Sequence, residues 1–386
     1  MEIILFIFIT LVFIFGILEY RFHKKNLLKI PIRIHVNGSR GKSSVVRLIA
    51  AGLRQGGLKT YAKTTGTSPR IINENGQDKY IHRLRSASIG EQISLIRFFS
   101  KLNPDVLVIE CMAVNPQYQW VSEQKIVQST IGVLTNVRPD HLDEMGINLD
   151  QITKSMANTI PFNGVMVTSE EKKVNILKSI SAKRNTKLYI ANSKVEKKDL
   201  DNFNYLEHKE NINLALKVCD LCGISKNIAL EGMSNCIPDP GALTIWNIRF
   251  NKNIFKFINA FAANDPSSTL KTWDMINEYL DSSNFAIFLN TRIDRQYRTI
   301  QLINLIFKEL KPKALILRGE NLPKELTNLR AENKNIKVYE FPYSINQEEL
   351  IKFMDIKLSS FVVLGIGNIV GWGEVLMKKI KEYKID

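Results

Sequence analysis

The stretch Val36–Ser44, "VNGSRGKSS", follows the alternating apolar segment "IPIRIHV" and opens a helical pattern, "KSSVVRLIAAGLRQ". A strand, a glycine turn and a helix start in that order make a cradle for phosphate. Backbone N–H groups converge there, and the helix dipole favours an anion. Gly38 and Gly41 supply the permissive backbone, with Ser39, Arg40 and Ser44 completing the loop. Lys42 is spaced to reach the β- and γ-phosphates of a nucleotide, and Ser43 to offer a hydroxyl to Mg²⁺. The longer Walker spacing would need glycine where Val36 stands, so this is the shorter GxxGK[ST] form. The rival reading is a glycine-rich helix start with an incidental lysine.

Two apolar runs further on support the cradle. "DVLVIE" (Asp105–Glu110) and "IGVLTNV" (Ile131–Val137) read as strands buried on both faces of a parallel sheet. Ligands of such sheets sit beyond the carboxyl ends of the strands. Glu110 ends the first run, and Asp140-His141 follow the second in "LTNVRPDHLD". Ser43, Glu110 and His141 are therefore expected to meet, and a hydroxyl, a carboxylate and an imidazole suit Mg²⁺ with waters retained.

Strands and helices alternate along the chain, with "GVMVTSE", "KLYIA" and a helix from Glu210 to Cys222 closing the first series. The Pro/Gly break "CIPDPGAL" (Cys236–Leu243) separates it from a second alternation ending in "SSFVVLGIGNIVGWGEVLMKKI". The expected fold class is α/β: a nucleotide-binding domain with a mostly parallel sheet over 31–240, and a smaller α/β domain over 241–386. "GIGNIVGWG" is a tight glycine turn and not a proper dinucleotide fingerprint.

A hydrophobic content of 45% is ordinary for a globular chain. The net charge of +15 favours anionic partners. No basic stretch interleaved with aromatics points to nucleic acid, and none is expected as a partner. Cys219 and Cys222 form a CxxC without a second pair or a histidine pair, so reduced core thiols are expected instead of zinc.

"IILFIFITLVFIFGIL", Ile3–Leu18, holds no charge and nears the length that spans a hydrocarbon core of about 30 Å. Residues 1–20 are read as a membrane anchor helix and 21–30 as a basic linker. Arg21, Lys24 and Lys25 place the remaining chain on the cytoplasmic side. A cleaved signal peptide and a buried helix are the rival readings.

"IPIRIHVNGSRGKS", "KTTGTSPR", "TNVRPDHLD", "DPGA", "FAANDPSST", "NTRIDRQYRT" and "GIGNIVGWG" resemble, in order, the ATP-dependent ligase subunit of poly-γ-glutamate synthase, the CapB/PgsB type. The first and third also resemble the wider superfamily of Mur ligases and folylpolyglutamate synthases. The resemblance spans Ile30 to Lys379. It implies a Mur-ligase-like central domain and an ATP- and Mg²⁺-dependent carboxylate–amine ligase. Such an enzyme converts the glutamate side-chain carboxylate to an acyl phosphate and joins it to an amine, building poly-γ-glutamate.

Carried over, the resemblance gives Lys42 to the phosphates and Ser43, Glu110 and His141 to Mg²⁺. It sets Asn211 on the adenine and Asn259 where Mur ligases place a ribose- or phosphate-contacting aspartate. Lys63, Thr64, Thr65 and Arg70 of "KTTGTSPR", and Arg292 and Arg295 of "TRIDRQYR", are substrate candidates because arginine forks suit carboxylates. No lysine aligns with the carbamylated lysine of several Mur ligases; Lys154 is offset. Small membrane-protein subunits of a synthase complex are implied as partners, and a homo-oligomer is compatible. Two other functions fit less well: an ATPase energising export of an envelope polymer, and a folylpolyglutamate-like ligase.

Overall fold

The computed structural model describes residues 2–65, 69–82, 88–192, 195–200, 203, 205, 207–238, 243–251, 253–261, 263, 265–280, 284–320, 322 and 325–385. The chain divides into two compact units, Met1–Asp239 and Pro240–Asp386. The centre of the expected boundary, 239–242, lies outside the described residues, as do 66–68 of "KTTGTSPR".

The first unit begins with α1 (Glu2–Leu28) and runs β1 (Ile32–Asn37), α2 (Lys42–Gln55), β2 (Thr60–Thr64), β3 (Arg70–Ile72) and β4 (Asp78–Tyr80). It continues with α3 (Glu91–Ser100), β5 (Val106–Glu110), α4 (Pro116–Val121), a π-helical turn (Ser122–Val127) and β6 (Ile131–Leu134). Then come α5 (Leu142–Met145), α6 (Leu149–Met156), β7 (Val165–Thr168), α7 (Val174–Lys183), β8 (Lys187–Ile190), α8 (Lys197–Leu200), α9 (Lys209–Leu221) and α10 (Lys226–Ser234).

Its eight strands form one sheet in the order β4-β3-β2-β5-β1-β6-β7-β8. Pairing is parallel from β2 to β8, and the β3–β4 hairpin adds two antiparallel edge strands. The apolar runs predicted to be buried are buried: this holds for every residue of β5 and β6. In register, Val36 of β1 lies beside Glu110 of β5 and Asn37 beside Leu134 of β6. The phosphate-loop strand is thus central, flanked by the two strands whose ends carry the other expected groups. Helix α2 is buried along most of its length because it packs against both the sheet and α9 and α10.

Residues 21–30, expected as a basic linker, instead continue α1 to Leu28. His23, Asn26, Leu27 and Ile30 recur at helical spacing and are buried, which holds the last turns in helix. Leu27 and Ile30 join a core cluster with Ile96, Phe99, Leu107 and Ile126. His23 Nε2 bonds the Ile126 carbonyl at 2.8 Å, and Ser100 Oγ donates to Asn26 Oδ1 at 3.2 Å. Arg33 Nη1 donates to the Leu27 and Ile30 carbonyls at 3.3 and 2.6 Å, closing the carboxyl end of the helix.

The second unit runs β9 (Thr244–Arg249), β10 (Ile254–Asn259), α11 (Pro266–Tyr279), β11 (Phe285–Asn290), α12 (Gln296–Leu305), β12 (Ala314–Arg318) and α13 (Glu325–Glu332). It closes with β13 (Lys337–Phe341), α14 (Gln347–Lys357), β14 (Val362–Gly367), α15 (Trp372–Glu382) and β15 (Lys384–Ile385). The sheet order is β13-β12-β11-β14-β10-β9-β15, parallel through β10 and antiparallel at β9 and β15. "GIGNIVGWG" is the turn from β14 into α15, with Gly367 and Gly371 at φ +94° and +74°. Both units are therefore α/β with mostly parallel sheets.

Candidate active site

The phosphate loop leaves β1 at Asn37 and enters α2 at Lys42. Its two glycines are required by geometry. Gly38 has φ +136°, and a Cβ there would lie 2.0 Å from Thr135 Oγ1. Gly41 has φ +81°, and a Cβ there would lie 2.7 Å from Asn211 Oδ1. No side chain caps the start of α2, so its first N–H groups are not claimed by a capping residue.

The strand end after β6 grips this loop. Ser39 N donates to the Asn136 carbonyl at 3.0 Å, and Ser39 Oγ donates to the Arg138 carbonyl at 3.0 Å. Thr135 Oγ1 and Asn136 Nδ2 both donate to the Arg40 carbonyl, at 2.6 and 3.0 Å. Asn37 Nδ2 donates to Gln119 Oε1 at 2.8 Å and to Thr159 Oγ1 at 3.2 Å, while Gly38 N donates to Asn37 Oδ1. The loop is thus held in shape by neighbouring side chains, as a rigid anion cradle requires.

Lys42 folds over the cradle, its Nζ donating to the Gly38 carbonyl at 2.7 Å. Ser43 Oγ donates to Glu110 Oε2 at 2.8 Å, and Thr65 N donates to the same oxygen at 2.7 Å. A cavity of about 300 Å³ opens here. Its wall includes Gly38, Ser39, Lys42, Thr65, Glu110 and His141, six of the expected site residues. Asp140 lies on the wall too, with Arg40 Nη2 4.0 Å from its Oδ1. His141 holds a left-handed backbone at φ +46° at the position before α5, its side chain making no capping bond and half exposed at the rim. A carboxylate already bonded to the loop serine, beside further oxygen donors, fits a hard divalent cation.

Asn211 is buried in the first turn of α9, with its Nδ2 donating to Glu207 Oε1 at 2.8 Å and its side chain against Gly41. It touches the loop, through a contact that spacing alone could not reveal. Lys63 and Thr64 belong to β2. Lys63 is fully buried, its Nζ 3.4 Å from Glu91 Oε1 and 3.7 Å from Met112 Sδ. Arg70 starts β3, its Nε 3.6 Å from Asp78 Oδ2, which also pairs with Arg47 of α2 at 2.7 Å. Lys63, Thr64 and Arg70 therefore stand off the cavity wall, whereas Thr65 is on it.

In the second unit Asn259 is buried at the carboxyl end of β10. Arg292 makes a two-pronged contact with Asp294 at 2.7 Å, and Arg295 is exposed at the start of α12. The four cysteines are free thiols, and burial raises Cys219 and Cys222 above their ordinary range, which keeps them protonated and unreactive. Among the described residues no group of three or more His, Cys, Asp or Glu could hold a metal ion, so any cation here leans on a hydroxyl and on phosphate oxygens.

Beneath the loop, His35 Nδ1 meets Glu123 Oε2 at 2.7 Å with both side chains buried. Burial alone would lower the imidazole, but the neighbouring Cys111 and the Glu123 carboxylate outweigh it and push His35 up to about 10. Glu123 Oε1 also accepts from Ser129 N and Oγ, each at 2.9 Å.

A strand–glycine loop–helix cradle in a central parallel sheet, followed by a second α/β unit, is the architecture of the Mur-ligase class. Residues 36–236 match the Mur ligase middle domain. FolC from E. coli, solved with ADP, superposes with a TM-score of 0.66 over 94% of this chain and 92% of its own at 16% identity, a likeness of fold. The assignment sharpens beyond that class. Residues 245–383 match the poly-gamma-glutamate synthase CapB C-terminal domain. The chain is 37% identical to PGA synthase CapB of Bacillus subtilis, over 99% of this chain and 98% of that one. It is 37% identical to the capsule biosynthesis protein CapB of Bacillus anthracis, over 96% and 81%. This chain belongs to the CapB family of poly-γ-glutamate synthases.

Proposed function

We propose that this chain is the ATP-dependent ligase that polymerises glutamate through its side-chain carboxyl. The observation that carries the reading is the shared bond of Ser43 and Thr65 to Glu110, in a cavity that Lys42 closes from the loop side. Family membership makes the chain an ATP-dependent amide ligase.

The γ-carboxylate oxygen attacks the γ-phosphorus of ATP, the bond to the β-phosphate oxygen breaks, and ADP leaves. The carboxylate has become an acyl phosphate with a good leaving group. An amine then adds to the carbonyl carbon, phosphate departs, the nitrogen loses a proton, and an amide remains. Lys42 exchanges the Gly38 carbonyl for phosphate oxygens, placing a full charge where charge develops. The N–H groups at the start of α2 add their dipoles. Glu110 orients the Ser43 hydroxyl. With Ser43, and with His141 from the rim, it would hold Mg²⁺. The ion supplies positive charge over the phosphates.

Asn211 is assigned to the adenine side; in the second unit, the resemblance assigns Asn259 to the nucleotide and Arg292 and Arg295 to substrate carboxylates. Among the described residues of its stretch Thr65 is the one on the cavity wall and is assigned to substrate, and Lys63 supports the wall through Glu91 and Met112. Helix α1 is long and apolar enough to cross a membrane: its apolar 18-residue stretch has mean hydropathy 2.7, and none of that stretch is buried. It anchors the catalytic units on the cytoplasmic side, beside small membrane-protein subunits that pass the polymer on.

The test is oxygen transfer. Glutamate labelled with oxygen-18 in its side-chain carboxylate, incubated with ATP, Mg²⁺ and a preparation containing the membrane subunits, should deliver one label per amide into released phosphate. Hydroxylamine should trap the acyl phosphate as a hydroxamate. An ATPase driving export would attack ATP with water, so label in phosphate would come from solvent alone, and that result would displace the ligase reading.

A further inference from the structure

We propose that the junction of α1 with α3 is a binding surface for anionic lipid headgroups, so that the catalytic unit rests directly on the bilayer. The inference depends on α1 crossing the membrane. It concerns where the folded unit lies once it does.

The argument starts from distance along one unbroken helix. The uncharged run ends at Leu18, and contact with the folded unit begins at Phe22, over which the Arg97 guanidinium lies 4.9 Å from the ring centre. Four helical residues cover about 6 Å. The headgroup zone of one leaflet is about 5–8 Å deep. No linker intervenes, because His23, Asn26 and Leu27 are already buried in the unit. If the run lies in hydrocarbon, Arg97 and its neighbours lie at headgroup depth.

The surface chemistry suits that depth. Tyr20, Phe22 and Phe98 are each about half exposed, at 51%, 47% and 49%. Phe98 follows Arg97 in α3, and Lys24 lies 5.8 Å from the Tyr20 ring. Aromatic rings beside cations form the belt expected at a membrane interface. Between Glu19 and Lys29 there are four basic residues and one acidic. Arg97 and Lys101 add two cations on and after α3, whose flanking carboxylates are engaged elsewhere: Glu91 lies 3.4 Å from the Lys63 Nζ and Asp105 accepts from Lys59 N. Such clusters attract anionic headgroups. A membrane-protein subunit would also cover aromatic rings, but the excess of cations at the end of α1 and on α3 favours lipid phosphate.

The test uses the full chain in vesicles containing roughly one-third phosphatidylglycerol. Tryptophan is introduced by Phe98→Trp or, as a control for the span, by Phe13→Trp; the parent chain, with its four native tryptophans, gives the background. Lipids brominated high on the acyl chain should quench Phe98→Trp more than lipids brominated near the terminal methyl, and the reverse should hold for Phe13→Trp. In pure phosphatidylcholine the Phe98→Trp quenching should fall about twofold, and Arg97→Gln with Lys101→Gln should remove that difference between lipids. Quenching of Phe13→Trp without quenching of Phe98→Trp keeps the span and overturns the surface. No quenching of Phe13→Trp removes the span, and the surface with it. A Phe98→Trp emission that lipid leaves unchanged, and that shifts to the blue only when membrane subunits are added, assigns the surface to protein and overturns the proposal.

Discussion

Ser43 Oγ donates to Glu110 Oε2 across 2.8 Å, tying the first turn of α2 to the last residue of β5. Thr65 N takes the same oxygen from the β2 side. One carboxylate thus joins the phosphate loop, the central strand pair and the segment leading to the β3–β4 hairpin. It is 3% exposed, so its charge acts with little solvent screening.

Glu110→Gln keeps the shape and removes the charge. Glutamate-dependent ADP formation should fall about 10²–10³-fold, and the magnesium concentration for half-maximal rate should rise. Ser43→Ala should raise the magnesium requirement as well. Lys42→Ala should lose turnover to a similar extent at any magnesium concentration, since it removes a phosphate contact and not a metal ligand. Removing the metal with a chelator should stop turnover in the parent chain. A Glu110→Gln enzyme that is folded, fast and unchanged in its magnesium response would show that the carboxylate is only structural.

Gly38 tests the cradle itself. At φ +136°, with Thr135 Oγ1 2.0 Å from the position of an added Cβ, Gly38→Ala must move the loop or the β6 end. The strain should cost about 1–3 kcal/mol. That corresponds to a fall in Tm of several degrees for a unit of this size, about 2–4 °C per kcal/mol. Gly57→Ala is the control, because its φ of +87° carries backbone strain with nothing within 4 Å. Both should destabilise, but only Gly38→Ala should lose ATP binding, measured by isothermal titration.

Much of this site is legible in the sequence, for local reasons. Glycine, lysine and serine spacing encodes the cradle, and apolar runs that end in a charge encode the strand ends. What spacing hides is tertiary. Lys63 reads as a substrate-binding cation because nothing nearby in sequence names Glu91 as its partner. Asn211 meets Gly41 only once α9 packs on α2. Each strand of the β3–β4 hairpin has three residues, too few to show an alternation, so it lacks a strand signature. The docked end of α1 was readable in principle: His23, Asn26, Leu27 and Ile30 fall at i, i+3, i+4 and i+7. Two of those four are polar and stand among lysines, which masks the pattern.

The buried His35–Glu123 pair predicts a pH dependence of stability. In the unfolded chain the imidazole titrates near 6.5, and in the fold it is raised to about 10. Below about 6.5 both states hold the proton and the pair contributes fully. As pH rises from there towards 10, only the folded state keeps the proton, so stability declines at about 1.4 kcal/mol per pH unit or less. Urea unfolding between pH 6 and 9 should show that decline, on the order of a few kcal/mol in total. His35→Gln should flatten it, and Glu123→Gln, which removes part of what raises the folded-state value, should end the decline at lower pH and make it smaller in total. An unchanged slope in both variants would assign the dependence to other groups.

The two ends of α1 predict opposite results on truncation. A chain starting at Arg21 loses the exposed apolar run and keeps the docked turns. It should leave the membrane fraction, remain soluble, and unfold within a few degrees of the parent, because none of the removed stretch is buried in the unit. A chain starting at Pro31 also loses Leu27 at 3% exposure, Ile30 at 0%, and the bonds of His23 and Asn26. Emptying an apolar site of that kind costs about 2–5 kcal/mol for each large side chain. It would also leave the Arg33 guanidinium, already lowered from its ordinary value by burial, without two of its carbonyl partners. This second chain should unfold many degrees lower or fail to accumulate. Leu27→Ala in the chain starting at Arg21 separates packing from mere length: it should cost a large part of the difference while adding no apolar surface that could return the protein to membranes. Fractionation in high salt reads the anchoring, and thermal unfolding of the soluble chains reads the docking. Equal stability of the chains starting at Arg21 and Pro31 would mean that the last turns of α1 lie against the unit without supporting it.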